Sequence, residues 1–193
     1  MKIYLASGNR HKKEEFAAIL PGYDIRIPAD EGIVFDPEET GASFLENALL
    51  KARALYRCVR APVIADDSGL CVDALDGKPG IYSARYGTEN GIALTAAEKN
   101  RLILTQMHGI RNRTCRFVCC IAVVLEHDRF FTVQETFEGL IAESGSGEGG
   151  FGYDPIVYIP ALGKTVAELT AAEKNRWSHR GKAGRAAARF LSE

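Results

Sequence analysis

The chain has 193 residues, enough for one sizeable domain, or two small lobes, around a core that needs no staples. Its 24 Lys and Arg against 25 Asp and Glu leave a formal net charge of −1, which argues against a general nucleic-acid-binding surface. The five cysteines (Cys58, Cys71, Cys115, Cys119, Cys120) have no C-x-x-C spacing, so they read as small core residues in a reducing compartment, with little support for zinc or a disulfide framework.

Met1-Lys2 leads straight into an apolar strand pattern. Neither a signal-peptide pattern nor an apolar run long enough to span a membrane is present, so the expected location is the cytoplasm, with no membrane partner. Residues 2–6 read as a strand and Ser7-Gly8-Asn9 as a tight exit from it. A helix follows with Phe16, Ile19 and Leu20 on one face, ended by Pro21. A second short strand leads into an acidic segment. Ser43…Glu46 is a capping-box pattern that opens a helix to about Val59, with Phe44, Ala48, Leu55 and Val59 as its apolar stripe and Asn47 and Lys51 one turn apart on another face. The run Pro62–Ala65 is a buried strand closed by Asp66 and Asp67. A turn-rich stretch and a helix from about Thr95 to Met107 come next. Residues 116–125 and 130–137 pair as a hairpin, and a glycine-dense loop from Gly145 to Gly152 leads into a strand at 156–159. Two capping boxes (Thr165…Glu168 and Thr170…Glu173) precede a last helix from about His179, for which Ser178 is the N-cap. Helices alternating with strands early and a hairpin later predict an α/β fold with a mixed sheet.

Three features carry chemistry. Adjacent carboxylates at a strand's end, Asp66 and Asp67, can hold a hard cation or activate water, although like charges need compensation. Ser7-Gly8-Asn9-Arg10-His11-Lys12 places cations at a helix start, where the helix dipole is already positive; a bound phosphate would resolve that conflict. His179, Arg180 and Lys182 repeat it at the last helix. Charge is also segregated: between Asp30 and Asn47 there are six acidic and no basic residues, and between Lys164 and Phe190 seven Lys or Arg against two Glu, as a metal–polyphosphate complex would require. Gly147–Gly152 matches G-x-G-x-x-G but precedes Tyr153-Asp154-Pro155 rather than opening a helix, so a dinucleotide fold is rejected. Trp177 reads as a packing residue.

Seven blocks in order resemble one family: Ser7-Gly8-Asn9…Lys12, Glu38-Glu39-Thr40-Gly41, Phe44…Glu46-Asn47-Ala48…Lys51-Ala52, Ala65–Leu70, Pro79–Tyr86, Gly149–Pro155 and Ala167-Glu168-Leu169…Lys174…Ser178-His179-Arg180. The chain is similar to the inosine triphosphate pyrophosphatases (dITP/XTP pyrophosphatases), which hydrolyse non-standard purine nucleoside triphosphates to monophosphate and pyrophosphate. The resemblance implies an elongated mixed β-sheet flanked by helices, one domain over residues 1–193 with two lobes around a central cleft, Mg²⁺ as cofactor, a purine nucleoside triphosphate as partner and a homodimer. It implies Asp67 as catalytic acid–base residue and Mg²⁺ ligand, with Glu38 as the second metal carboxylate; a one-residue register change would put Glu39 there instead. Ser7, Gly8, Asn9, Arg10, His11 and Lys12 would hold phosphates, aided by Lys51 and Lys174. Phe151 would stack on the purine, Asp154, His179 and Arg180 would line its base and sugar end, and Ser68, Gly152 and Tyr153 complete the implied substrate contacts. Asp66 is left as a water-orienting or supporting group.

Overall fold

The computed structural model describes residues 1–88 and 91–191. The elements are β1 (Lys2–Leu5), α1 (Arg10–Ile19), β2 (Asp24–Arg26), α2 (Phe44–Val59), β3 (Val63–Val72), α3 (Ala96–Gln106), β4 (Thr114–Glu126), β5 (Arg129–Ile141), β6 (Val157–Ile159), β7 (Lys164–Thr165), α4 (Ala171–Trp177) and α5 (His179–Leu191). The strands form one seven-stranded sheet in the order β2-β1-β3-β4-β5-β6-β7. β1 is parallel to β2 and β3, whereas β5, β6 and β7 pair antiparallel, so the sheet is mixed as expected.

Helix starts follow local cap chemistry. Asn9 caps α1, Ser43 caps α2, and Thr95 with Glu98 and Thr170 with Glu173 form reciprocal boxes on α3 and α4. At α2 the box is incomplete: Ser43 Oγ accepts the Glu46 N–H, but the Glu46 carboxylate accepts from Ala42 one residue upstream. Ser178, expected as a cap for the last helix, stands in extended backbone directly before α5 and also closes α4, its N–H donating to Lys174 O. Trp177 is 42% exposed with the Arg176 guanidinium 5.0 Å from its ring centre, so it is not the packing residue the sequence suggested.

The chain divides into two compact units, Met1–Asp67 with Cys119–Glu135 and His179–Glu193, and Ser68–Val118 with Thr136–Ser178. In the first unit, sheet residues alternate between two apolar layers, as the pleat requires. Ile3, Leu5, Ile64, Cys119, Ile121 and Val123 pack with Phe16 and Leu20 of α1 and Ala183 and Ala187 of α5. Tyr4, Ala6, Val63, Ala65, Cys120, Ala122 and Val124 pack with Ala48, Ala52 and Leu55 of α2. Each large side chain buried this way contributes about 1.5–3 kcal/mol of transfer free energy. Small residues on α5 let it come close to α1: a Cβ on Gly184 would lie 2.7 Å from Ile19 Cγ2. The second unit has its own core, in which Leu70, Val72, Ile103, Met107, Phe117, Phe137 and Ile156 are buried together. Of the cysteines, Cys115, Cys119 and Cys120 are buried, Cys71 is partly so and Cys58 is exposed. No described helix is long and apolar enough to cross a membrane.

Candidate active site

The sequence placed Asp66 and Asp67 at the exit of a strand. Instead, β3 runs on through both to Val72. A strand can keep two buried carboxylates in its middle only if cations meet each of them, and the pleat decides which cations those are. Asp66 lies on the Ile64 side of the strand, the layer of α1 and α5. Asp67 lies on the Ala65 side, the layer of α2. The adjacent pair is therefore separated into two different environments.

On the α2 side, Lys51 Nζ bonds Asp67 Oδ1 at 2.7 Å and Glu39 Oε1 at 2.7 Å, and Asn47 Nδ2 donates to Asp67 Oδ2 at 3.4 Å. Asn47, Lys51 and the core residue Leu55 recur every four residues, so the two polar groups continue the buried stripe of α2 toward the strand. Asn47 Oδ1 also accepts the Gly41 N–H at 2.8 Å, tying the acidic segment to the same helix. Burial, together with the Glu39 charge, outweighs Lys51 and raises the Asp67 carboxyl above the ordinary aspartate value. Burial would lower the Lys51 ammonium, but Asp67 and Asp66 overcome it and raise it.

On the opposite face the arrangement has the contrary effect. Asp66 is 1% exposed, and Oδ2 accepts from Arg180 Nε at 2.9 Å and Nη2 at 2.8 Å, while Lys12 Nζ lies 2.5 Å from Oδ1. Arg180 Nη1 in turn donates to Glu15 Oε2 at 2.6 Å. Complete burial alone would raise the Asp66 carboxyl, but Arg180, Lys12 and Lys51 hold it far below the usual carboxylate range. Asp66 is held as an anion by its cationic partners, whereas Asp67 is a carboxylate whose charge is disfavoured. Such a divergence is what separates a fixed electrostatic group from a group that exchanges protons. Cys119 Sγ lies 3.7 Å from Asp66 Oδ2, and burial pushes this thiol up, so it remains protonated.

The remaining phosphate candidates of this unit are at the β1–α1 turn. Ser7 Oγ accepts the Asn9 N–H at 3.1 Å, and Asn9 Oδ1 accepts the N–H groups of His11 and Lys12. Two donors that the sequence left for an anion are thus engaged by Asn9. Gly8 and Arg10 are exposed, as is His11, which lies 3.8 Å from Glu14. Glu38 is exposed; the neighbouring Glu39 is the residue that reaches Lys51. His179 is buried. Arg180, expected beside a base, is 2% exposed with its guanidinium on Asp66 and Glu15.

The second unit contains the other candidates. Asp154 is buried, and its Oδ2 accepts the Phe151 N–H at 2.8 Å and the Lys174 ammonium at 2.7 Å. Lys174 Nζ also sits 4.4 Å from the centre of the Phe151 ring, a cation–π contact that fixes the ring's orientation. The glycines of this loop have a steric reason: at Gly150, with φ of +69°, a Cβ would lie 2.1 Å from Asp154 Oδ2. Gly152 O accepts from Asn100 Nδ2 at 3.1 Å, and the Tyr153 hydroxyl donates to Ser83 O at 2.9 Å. Ser68 is half-buried on β3. Sequence reading missed Glu15, Asn100 and Ser83. Ser83 lies within the Pro79–Tyr86 block but was given no role there, Asn100 shows no pattern that would have set it apart, and Glu15 is 165 residues from the Arg180 it neutralises.

The chain is similar to known proteins along nearly its full length. The chain is 55% identical over 191 residues to a dITP/XTP pyrophosphatase of Treponema denticola, covering 99% of this chain and 98% of the relative. It is 46% identical to a dITP/XTP pyrophosphatase of Bacillus subtilis, covering 93% and 91%. Among solved structures, a HAM1 protein from Coxiella burnetii superposes with a TM-score of 0.89 at 36% identity, over all of this chain and 98% of that one. The Staphylococcus aureus Ham1 protein gives 0.87 at 40% identity with the same coverage. The Ham1 family pattern matches residues 3–190, and with these full-length likenesses the chain belongs to the Ham1 family.

Proposed function

We propose that this protein is a nucleoside-triphosphate pyrophosphatase that hydrolyses non-standard purine nucleotides, dITP or ITP and XTP or dXTP, to the monophosphate and pyrophosphate. The observation that carries the reading is the buried Asp67 carboxylate, raised above its ordinary range and held between Lys51 and Asn47. The full-length similarity to dITP/XTP pyrophosphatases supports it.

In the proposed reaction the oxygen of a water forms a bond to phosphorus at the α–β anhydride as the bond to the leaving phosphate oxygen breaks. Asp67 takes the water's proton, and a carboxylate raised by burial is a stronger base for that purpose. Lys12 and Lys51 supply positive charge to the phosphates, a large part of what this class of transfer needs from a protein. Arg180, whose guanidinium is engaged by Asp66, acts by holding Asp66 and through it Lys12; this replaces the base contact implied by the resemblance. Phe151 is the proposed stacking surface for the purine, oriented by Asp154 and Lys174, and His179 the proposed donor to a 6-oxo group. An amino group at that position would leave the donor unpaired.

The donor set suits Mg²⁺. Asp67 and Glu39 both lie within 2.7 Å of one nitrogen, so a single cation can reach both, and Mg²⁺ takes one or two protein carboxylates. When bound it neutralises phosphate charge and polarises the anhydride. Because Glu38 points to solvent, Glu39→Gln is expected to raise the Mg²⁺ concentration for half-maximal rate by about 10-fold or more, and Glu38→Gln to leave it within about 2-fold. A Mg²⁺ titration of both variants checks the assignment.

The substrate claim is tested by pyrophosphate release from a panel. Turnover of dITP and XTP should exceed that of dATP and dUTP by on the order of 10²-fold or more in kcat/KM. Comparable rates on dUTP would assign a different nucleotide class, and binding of dITP without turnover would make the protein a nucleotide sensor. The homodimer implied by the resemblance predicts sedimentation at twice the mass of one chain.

A further inference from the structure

Helix α2 has more than one polar face. Asn47 and Lys51 serve Asp67, whereas Arg53 and Arg57, one turn apart, share another side of the same helix, and Arg60 follows them as its left-handed C-cap. These three arginines line a surface pocket of ≈ 280 Å³, whose walls include Tyr56 of the helix and Phe130 at the start of β5. Phe130 is 44% exposed and carries the Arg53 guanidinium 4.8 Å from its ring centre. The acid in the lining, Asp128, has its Oδ1 2.7 Å from His127 Nδ1. Among the described residues none of the three arginines has a carboxylate at ion-pair distance. Lys2, Lys13, Arg116 and Lys164, also near the surface, each have one.

The C-terminal end of a helix favours basic residues, which accounts for positive charge at this place on α2. It does not account for a concave site with an aromatic wall and three unopposed guanidinia. We propose that the pocket is a second anion site, separate from the carboxylate cluster, that takes a small phosphate-bearing molecule. Guanidinium forks match phosphate oxygens in pairs, and the exposed Phe130 ring offers a flat surface to a base attached to that phosphate. The volume, near the lower end for ligand pockets, suits pyrophosphate or a nucleoside monophosphate. A nucleic-acid strand would need a longer groove of cations with successive stacking rings.

The test uses the full chain, titrated separately with inorganic pyrophosphate and with AMP, reading the NMR signals of the Arg53, Arg57 and Arg60 side-chain N–H groups and the amides of residues 127–130. Saturable shifts with dissociation constants below about 1 mM are expected. They should weaken by at least about 10-fold in an Arg57→Ala, Arg60→Ala double variant that still hydrolyses dITP at the wild-type rate. Phe130→Ala separates the two sources: loss of AMP affinity with pyrophosphate unaffected assigns a nucleotide, and equal retention of both assigns the phosphate group alone. Shifts that do not saturate, that sulfate reproduces at the same ionic strength, or that persist undiminished in the double variant overturn the proposal.

Discussion

Replacing Asp67 by Asn lowers pyrophosphate release by about 10²–10⁴-fold, the usual contribution of a positioned base, while nucleotide binding persists. The exchange keeps size and hydrogen-bonding capacity beside Asn47 and Lys51 but removes the proton acceptor. Stability gives an independent check. A carboxyl whose folded value is raised favours the folded chain when protonated; that contribution is complete below the unfolded value and lost as pH rises through the raised one. At neutral pH the Asp67 charge is disfavoured by its burial while it supports the buried Lys51 ammonium. The two effects oppose each other, so Asp67→Asn should lose less stability to urea than Asp66→Asn. The acid limb of kcat/KM that reports Asp67 should be absent from the residual rate of the variant. A variant that retains near-normal turnover would remove Asp67 from the chemistry.

The neighbouring substitution behaves in the opposite way. Asp66→Asn leaves Arg180 and Lys12 without their shared anion in a site that excludes water, and breaking a buried pair on one side costs about 3–5 kcal/mol. Urea unfolding followed by Trp177 fluorescence at pH 7 reads this loss. Asp66 is depressed in the folded chain, so its contribution is present above the unfolded value near 3.9 and disappears as pH falls through the lower folded value. The gap between parent and variant should thus be full at neutral pH and close only in strong acid. Equal stabilities at pH 7 would mean that the ion pair contributes nothing net to the fold. Two adjacent aspartates that differ in this manner, one acting mainly through the proton it accepts and the other mainly through the stability of its buried ion pairs, are the clearest signature of the division made by β3.

How much of this was legible in the sequence depends on how local its cause is. The range of α2 and the Thr165…Glu168 and Thr170…Glu173 boxes could be read directly, because periodicity and cap hydrogen bonds involve residues within a turn or two. The end of β3 could not. Two charges after an apolar run look like an exit, and only Lys12 from α1 and Arg180, 114 residues away on α5, make their burial tolerable. The cations at the starts of α1 and α5 were recognisable as misplaced for their helix dipoles, and an outside anion was the natural expectation. Part of the answer is internal: Lys12 and Arg180 meet Asp66, and Asn9 satisfies two of the helix N–H groups itself. The glycine-dense loop was visible as composition, yet its cause, the close approach of Asp154 to Gly150, is a packing distance that no local pattern encodes. Glu38 and Glu39 were indistinguishable by spacing, and of the two it is Glu39 that bonds Lys51.

The account stands most directly on pyrophosphate release from dITP measured with the wild-type chain in excess Mg²⁺ and again after chelation. It predicts one pyrophosphate and one dIMP per dITP in the presence of the metal, with the rate falling by at least about 10²-fold on its removal and restored when Mg²⁺ is returned. Release of single orthophosphates, or no metal-dependent turnover of any purine triphosphate, would contradict it.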